Sequence, residues 1–265
     1  MKESRKRVNA MPTLDAVADV FDLARTGDPG AIAPLIEILR QHPKLTIRAA
    51  AAHLLGQIGD RRAISALETA LNDTSDGGFL QQETPVSESA EEALLAIYER
   101  VGAGVDDVLR LARMLEEGGE RRQYTRSLLI SLKAPIEHTL LAQFPLLNIL
   151  GQSAVLTILG QRRFVPALNF LMAGFSHPSP QIRNAAVNAL GELGDVRAFD
   201  AVLGCLNDPD HGVRRSVHFV LRQVSDERHV PVLERILASG QFNAFERRDV
   251  EVALQAARER KAPED

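Results

Sequence analysis

HPSPQIRNAAVNALGELGDVRAFDAVLGCLND, residues 177–208, reads as one complete helix–turn–helix repeat. Residues 208–239, DPDHGVRRSVHFVLRQVSDERHVPVLERILAS, repeat it. Arg183 and Arg214 lie 31 residues apart, and so do Asp195 and Asp226. A fixed period of this size is the mark of a stacked helical solenoid, in which each hairpin buries its apolar face only against copies of itself.

Inside the repeat, Ile182, Ala185, Ala186, Ala189, Leu190 and Leu193 fall on one face of a helix. The alanines admit a neighbouring helix at close range. Ser179-Pro180 predicts the helix start, with the serine hydroxyl as N-cap acceptor and the proline in the first turn. Gly194-Asp195 predicts a left-handed stop, followed by the cap of a second helix whose stripe is Phe199, Val202, Leu203 and Leu206.

Working outward, residues 42–73 give the same pattern with Ile47, Ala50, Ala51, Leu54, Leu55 and Ile58 as the stripe, and Arg48 and Asp60 at the places of Arg183 and Asp195. An earlier repeat begins at Thr13, with Ala16, Val17, Val20, Phe21 and Ala24, then Ile32, Leu35, Ile36 and Leu39. Residues 73–85, rich in turn and polar types, predict an inserted loop before a third repeat carrying Val86, Ser89, Ala90, Ala93, Leu94 and Ile97. A fourth runs over 121–141 and a fifth starts at Leu147, which leaves an interval of only 26 residues between their starting positions. A helix over 243–261, with Phe245, Val252, Ala253 and Ala256 on one face and charges on the other, suits a terminal cap. The expectation is one all-α, right-handed solenoid of about seven to eight helical hairpins over 13–261, behind a basic flexible tail at 1–12 containing Lys2, Arg5, Lys6 and Arg7.

The 265 residues are 45% hydrophobic and 25% charged, enough for a packed core, and with no tryptophan and two tyrosines that core is aliphatic. A net charge of −4 argues against nucleic acid or an anionic membrane as partner. The lone Cys205 excludes an intramolecular disulfide and fits a reducing compartment, the cytoplasm. On the second helix of a repeat, with no local base motif, it reads as a small apolar filler.

The runs Ile47-Arg48-Ala49-Ala50, Gly59-Asp60 and Ala66-Leu67, which recur as Ile182-Arg183-Asn184-Ala185 and Gly194-Asp195 and then as Val213-Arg214 and Asp226, resemble HEAT repeats of the short bacterial phycobilisome-lyase-like type. The resemblance implies the solenoid, and a ladder in which Arg48, Arg183 and Arg214, with Asp60, Asp195 and Asp226, tie turns within and between repeats. It also implies a minority reading: attachment, removal or chaperoning of a bilin on a phycobiliprotein, with no residue assignable to that chemistry. The His-Glu pairs of HEAT-like di-iron hydroxylases are absent, and the acidic balance without tryptophan speaks against HEAT-like DNA glycosylases.

No catalytic motif, phosphate loop or metal-ligand spacing stands out, so no catalytic residue, cofactor or metal is expected. His211 and His218 lie roughly 10 Å apart along a helix, too far to share one ion. His42 and His177 precede prolines as turn residues. The arginine pairs 61–62, 121–122, 162–163 and 214–215 offer nucleic-acid binding as a weaker alternative, read against one scaffold and one solvated arginine per pair. The uncharged run 139–160 is long enough for a membrane, but Gln143, Pro145, Asn148 and Gln152 interrupt it; the reading is core first, self-association surface second.

The function expected from these features is a non-catalytic scaffold that binds another protein. The side chains expected to face outward on or beside second helices are Glu68, Arg110, Arg113, Arg163, Asn169, Asp200, Glu234 and Arg235, with Phe79 and Leu80 of the inserted loop as a further contact.

Overall fold

In the computed structural model, residues 14–73, 85–239 and 244–262 are described; Phe79 and Leu80, the basic tail and nearly all of the inserted loop lie outside them, as does the side chain of Phe245. Every regular element among the described residues is helical, and the chain is an all-α solenoid of stacked hairpins. It divides into two compact units, 1–136 and 137–265.

The first unit holds α1 (Leu14–Arg25), α2 (Ile32–Gln41), α3 (Leu45–Ile58), α4 (Arg61–Ala70), α5 (Val86–Val101), α6 (Val105–Met114) and α7 (Gly119–Ser131). The first helices α3 and α5 pack on each other, and α4 closes against both α2 and α5. The second unit holds α8 (Glu137–Gln143), α9 (Ile149–Gln161), α10 (Leu168–Ala173), α11 (Pro180–Leu193), α12 (Phe199–Gly204), α13 (His211–Val224), α14 (Val230–Ala238) and α15 (Ala244–Glu259). Here α9, α11, α13 and α15 pack in sequence, each partner helix lying on its neighbour's flank.

The apolar stripe predicted for α11 is buried throughout, and so are Val213, Val217, Val220, Leu221 and Val224 on α13. Close approach rests on small residues. A Cβ on Gly56 of α3 would lie 3.0 Å from the Ala93 Cα of α5, and one on Gly160 of α9 would lie 2.6 Å from the Ala189 Cα of α11. Gly56 and Gly191 stand nine residues beyond Ile47 and Ile182, so Gly160 sets the start of its own repeat at Gly151, with Ala154, Val155, Ile158 and Leu159 buried in register. This corrects the start at Leu147. Gly151 lies 31 residues before Ile182 and 30 after Arg121, and the anomalous interval of 26 disappears. Periodic apolarity slid by one helical turn because Leu147 is buried too, in the loop ahead of α9.

The turns follow the sequence with two departures. Gly194 takes the left-handed conformation at φ 69, and the Asp195 side chain accepts the Arg197 N–H at 2.9 Å. Ser179 stands at the N-cap but its hydroxyl makes no cap bond. Instead the His177 Nδ1 accepts the Ser179 N–H, and His42 does the same for Lys44, both at 3.1 Å. A histidine before proline thus does the work of an Asx turn, the Asp208 carboxylate taking the same role for the Asp210 N–H at 2.8 Å. The second departure is Arg163, the equivalent of Gly194 one period earlier, which holds φ 50. A left-handed conformation costs a non-glycine residue about 1–2 kcal/mol, part of which glycine returns as unfolded-state entropy. Arg163→Gly is therefore expected to raise stability by roughly 0.5–1 kcal/mol in chemical denaturation; a loss of stability would show that the Arg163 side chain holds the turn.

Candidate partner-binding surface

Each ladder arginine is held by the same clamp. Arg48 donates from Nη1 to the carbonyls of His42 and Pro43 at 2.8 and 3.1 Å, Arg183 to those of His177 and Pro178 at 3.0 and 3.1 Å, and Arg214 to those of Asp208 and Pro209 at 2.7 and 3.1 Å. The carboxylate partner is not the aspartate twelve residues on. Arg48 reaches Asp73 through Nε and Nη2 at 2.7 and 3.1 Å, and Arg183 reaches Asp208 at 2.7 and 2.8 Å, each 25 residues away at the end of the second helix. The Arg183–Asp208 pair is nearly closed to solvent, with side chains 12% and 7% exposed.

Asp60, Asp195 and Asp226 do a different task. Each caps its second helix and chelates the arginine two residues on: Arg62, Arg197 and Arg228. Those arginines hold the three carboxyls, and Arg183 that of Asp208, below the ordinary carboxylate range. Of the arginine pairs, Arg61 bridges to Asp107 at 2.8 Å and to the Gly102 carbonyl at 2.9 Å, and Arg162 to Glu137 at 2.7 Å; Arg163 and Arg215 stay exposed. Two further arginines act on the stack without any repeat signal in the sequence. Arg100 of α5 donates to the carbonyls of Gly56, Gln57 and Gly59 that end α3. Arg260, just past α15, donates to those of Gln223 and Ser225 that end α13.

Glu68 does not face outward. It is 5% exposed between α4 and α5, where Arg110 donates from Nε to both its oxygens at 2.8 and 2.9 Å and the Tyr98 hydroxyl donates at 3.3 Å. A buried carboxylate needs such partners, and the arginine supplied from α6 allows the burial. Arg110 also binds Asp107 at 2.8 Å, so this expected contact residue is engaged inside its own repeat, though its side chain is 44% exposed. Burial pushes the Asp107 carboxyl up, but the Gly104 N–H and the two guanidinium groups outweigh it and hold the carboxyl low. Burial, and then the Glu68 charge, push the Tyr98 phenol well above its usual range.

Arg113, Arg163, Asn169, Asp200, Glu234 and Arg235 are exposed. Glu234 pairs with Arg258 of α15 at 2.7 Å, both half exposed. Within 139–160, α9 is largely buried, while Leu146, Ile149 and Leu150 at its entrance are open at 74%, 44% and 38%. The first helices of the second unit carry a groove that the sequence reading did not pick out, about 260 Å³ in volume, with Thr157, Gln161, Asn188, Glu192, Phe219 and Gln223 in its walls. Phe219 is 55% exposed there, with the Arg222 guanidinium 5.0 Å above its ring. Cys205 is buried, its thiol pushed up to about 11 by burial first and then by the Asp208 charge, which leaves it a poor nucleophile. Among the described residues no group of three or more His, Cys, Asp or Glu side chains is placed to hold a metal ion, and no helix is long and apolar enough to cross a membrane.

A stack of helical hairpins tied by recurring arginine clamps is the architecture of an α-solenoid repeat protein. The HEAT-repeat family model matches residues 15–83, 147–221 and 168–255, more than half of the chain. The chain belongs to the HEAT-repeat family. Over 61 residues it is 39% identical to the phycocyanobilin lyase subunit alpha of Picosynechococcus sp., a match that spans 23% of this chain and 22% of that protein. Among solved structures, human deoxyhypusine hydroxylase in complex with glycerol aligns at 22% identity and a TM-score of 0.38, covering 80% of each chain. The complex of CpcE and CpcF of phycocyanin lyase from Nostoc sp. PCC7120 aligns at 20% identity and a TM-score of 0.37, covering 97% of this chain and 99% of that one.

Proposed function

We propose that this chain is a non-catalytic scaffold that binds a partner protein through the side chains its second helices leave open. The observation that carries the reading is a division of labour among the charged residues. Most of those at the turns are consumed by clamps and caps, whereas Arg113, Asn169, Asp200 and Arg235 on the second helices, and Arg163 at the turn after α9, stand exposed with no ion pair among the described residues. Solenoids present such side chains from repeat to repeat along an extended surface. Leu146, Ile149 and Leu150 offer a smaller apolar contact, for a partner or a second copy.

The test is capture from a lysate of the source organism by wild type and by Glu234→Lys/Arg235→Glu. The Glu234–Arg258 pair is exposed, so its loss costs little stability, on the order of 0–1 kcal/mol. One dominant protein held by wild type and lost in the folded variant is the expected result. The same protein held equally by both would remove this surface from the reading.

A second reading is favoured by the 39% identity to a phycocyanobilin lyase subunit: a role in handling a bilin on a phycobiliprotein. No residue of this chain is assigned to it. Titration of the purified chain with phycocyanobilin checks it, a shifted and saturable absorption band supporting the reading and an unchanged pigment spectrum ending it.

A further inference from the structure

We propose that the free edge of the Arg214 guanidinium is a receptor for a carboxylate of a protein partner. This rests on the scaffold reading and names the chemistry of one contact.

Three arginines occupy the same place in three repeats, and all three have Nη1 fixed by two carbonyls of the turn before the helix, at 2.7–3.1 Å. That clamp aims the opposite edge, Nε and Nη2, in a set direction. In two repeats an aspartate 25 residues on fills the edge bidentately, Asp73 for Arg48 and Asp208 for Arg183. In the third, residue 239 is serine. Its backbone stays helical at φ −64 and ψ −21 where Asp208 is extended at φ −56 and ψ 137, and its hydroxyl turns to the Ile236 carbonyl at 2.7 Å. The Arg214 Nε and Nη2 have no partner among the described residues, and neither is a buried orphan, so the edge meets solvent. Of the nearby acidic groups, Asp208 is held by Arg183 and the Asp210 N–H and reaches Arg214 only through its charge, and Asp210 accepts the Val213 N–H at 3.1 Å without bonding Arg214.

A guanidinium fork matches a carboxylate with two parallel hydrogen bonds, and one already immobilised loses less side-chain freedom on binding it than a mobile arginine does. The neighbouring Arg215 is exposed and carries no such clamp, which makes it the internal control. The carboxylate has two possible sources, an acidic side chain or a chain terminus.

The experiment follows arginine Nε–H resonances of the full chain by NMR during titration with acetyl-aspartate N-methylamide, which carries a side-chain carboxylate, and with acetylglycine, which presents a terminal one. The Arg214 resonance is assigned by through-bond correlation in the wild type and checked by its absence in Arg214→Lys. The expected result is a saturable shift of that resonance with an apparent affinity at least about ten-fold tighter than at Arg215, the stronger probe naming the source. A shift that is absent, or linear and equal to that of Arg215, overturns the proposal. Partner capture is a separate readout, so the site can fail while the scaffold stands.

Discussion

Asp208→Ala is expected to lower stability by about 2–3 kcal/mol, a Tm roughly 8 °C lower for a chain of this size. Asp208 is where two repeats meet. Its carboxylate takes both forks of Arg183 and the Asp210 N–H, and its carbonyl takes the Arg214 Nη1 at 2.7 Å. Removing the carboxylate leaves the Arg183 charge, 12% exposed, without its counter-ion. The figure sits below the 3–5 kcal/mol typical of a wholly buried pair because the arginine keeps two carbonyl partners and a path to water. The same residue carries a pH signature. Its folded carboxyl lies below the unfolded value, so its contribution is present above that value, about 3.9, and is lost as pH falls through the lower folded one. Thermal melts in acid should therefore show a steeper fall for wild type than for Asp208→Ala. A variant that melts within about 2 °C of wild type at neutral pH would show that the clamp does not hold the repeats together.

Gly160→Val is expected to cost about 3 kcal/mol, the upper end of overpacking penalties. The added Cβ would lie 2.6 Å from the Ala189 Cα and 2.7 Å from its carbonyl oxygen, both backbone atoms of a helix that cannot move without parting from α13. Gly204→Ala is the control: it sits near the end of α12 in right-handed geometry with nothing within 4 Å of its Cβ position, and it should be neutral or slightly stabilising. Equal denaturation midpoints for Gly160→Val and wild type would mean that α9 and α11 leave room for a side chain at residue 160, against the 2.6 Å contact an added Cβ would make.

The repeats at 42–73, 177–208 and 208–239 were legible because one face of each first helix must be apolar at helical spacing, and because the Gly-Asp turn has its own local chemistry. Even that turn is not one structure. Gly194 is left-handed at φ 69, whereas Gly59, before the same aspartate, is extended at φ −66 and is required because a Cβ would lie 2.3 Å from the Leu55 carbonyl. Apolar spacing alone starts the fifth repeat four residues early because Leu147 and Gly151 are both buried and only the contact of Gly160 with Ala189 distinguishes their roles. Sequence alone points Glu68 outward because a carboxylate on a second helix is normally solvated; its burial depends on Arg110 and Tyr98, 42 and 30 residues away.

From local periodicity and turn chemistry, the sequence by itself determined the helices, their pairing into hairpins and which faces are buried, since these depend on residues within one or two turns of each other. It also marked Arg48, Arg183 and Arg214 as equivalent. Only the tertiary structure decided what each arginine holds. The carboxylate that meets Arg183 is 25 residues distant, past a second helix, and the same place beyond Arg214 is left without one. Helical spacing brings together residues three or four apart; which distant charge lands on a clamped guanidinium is set by where the second helix ends, and that is a property of the packed hairpin.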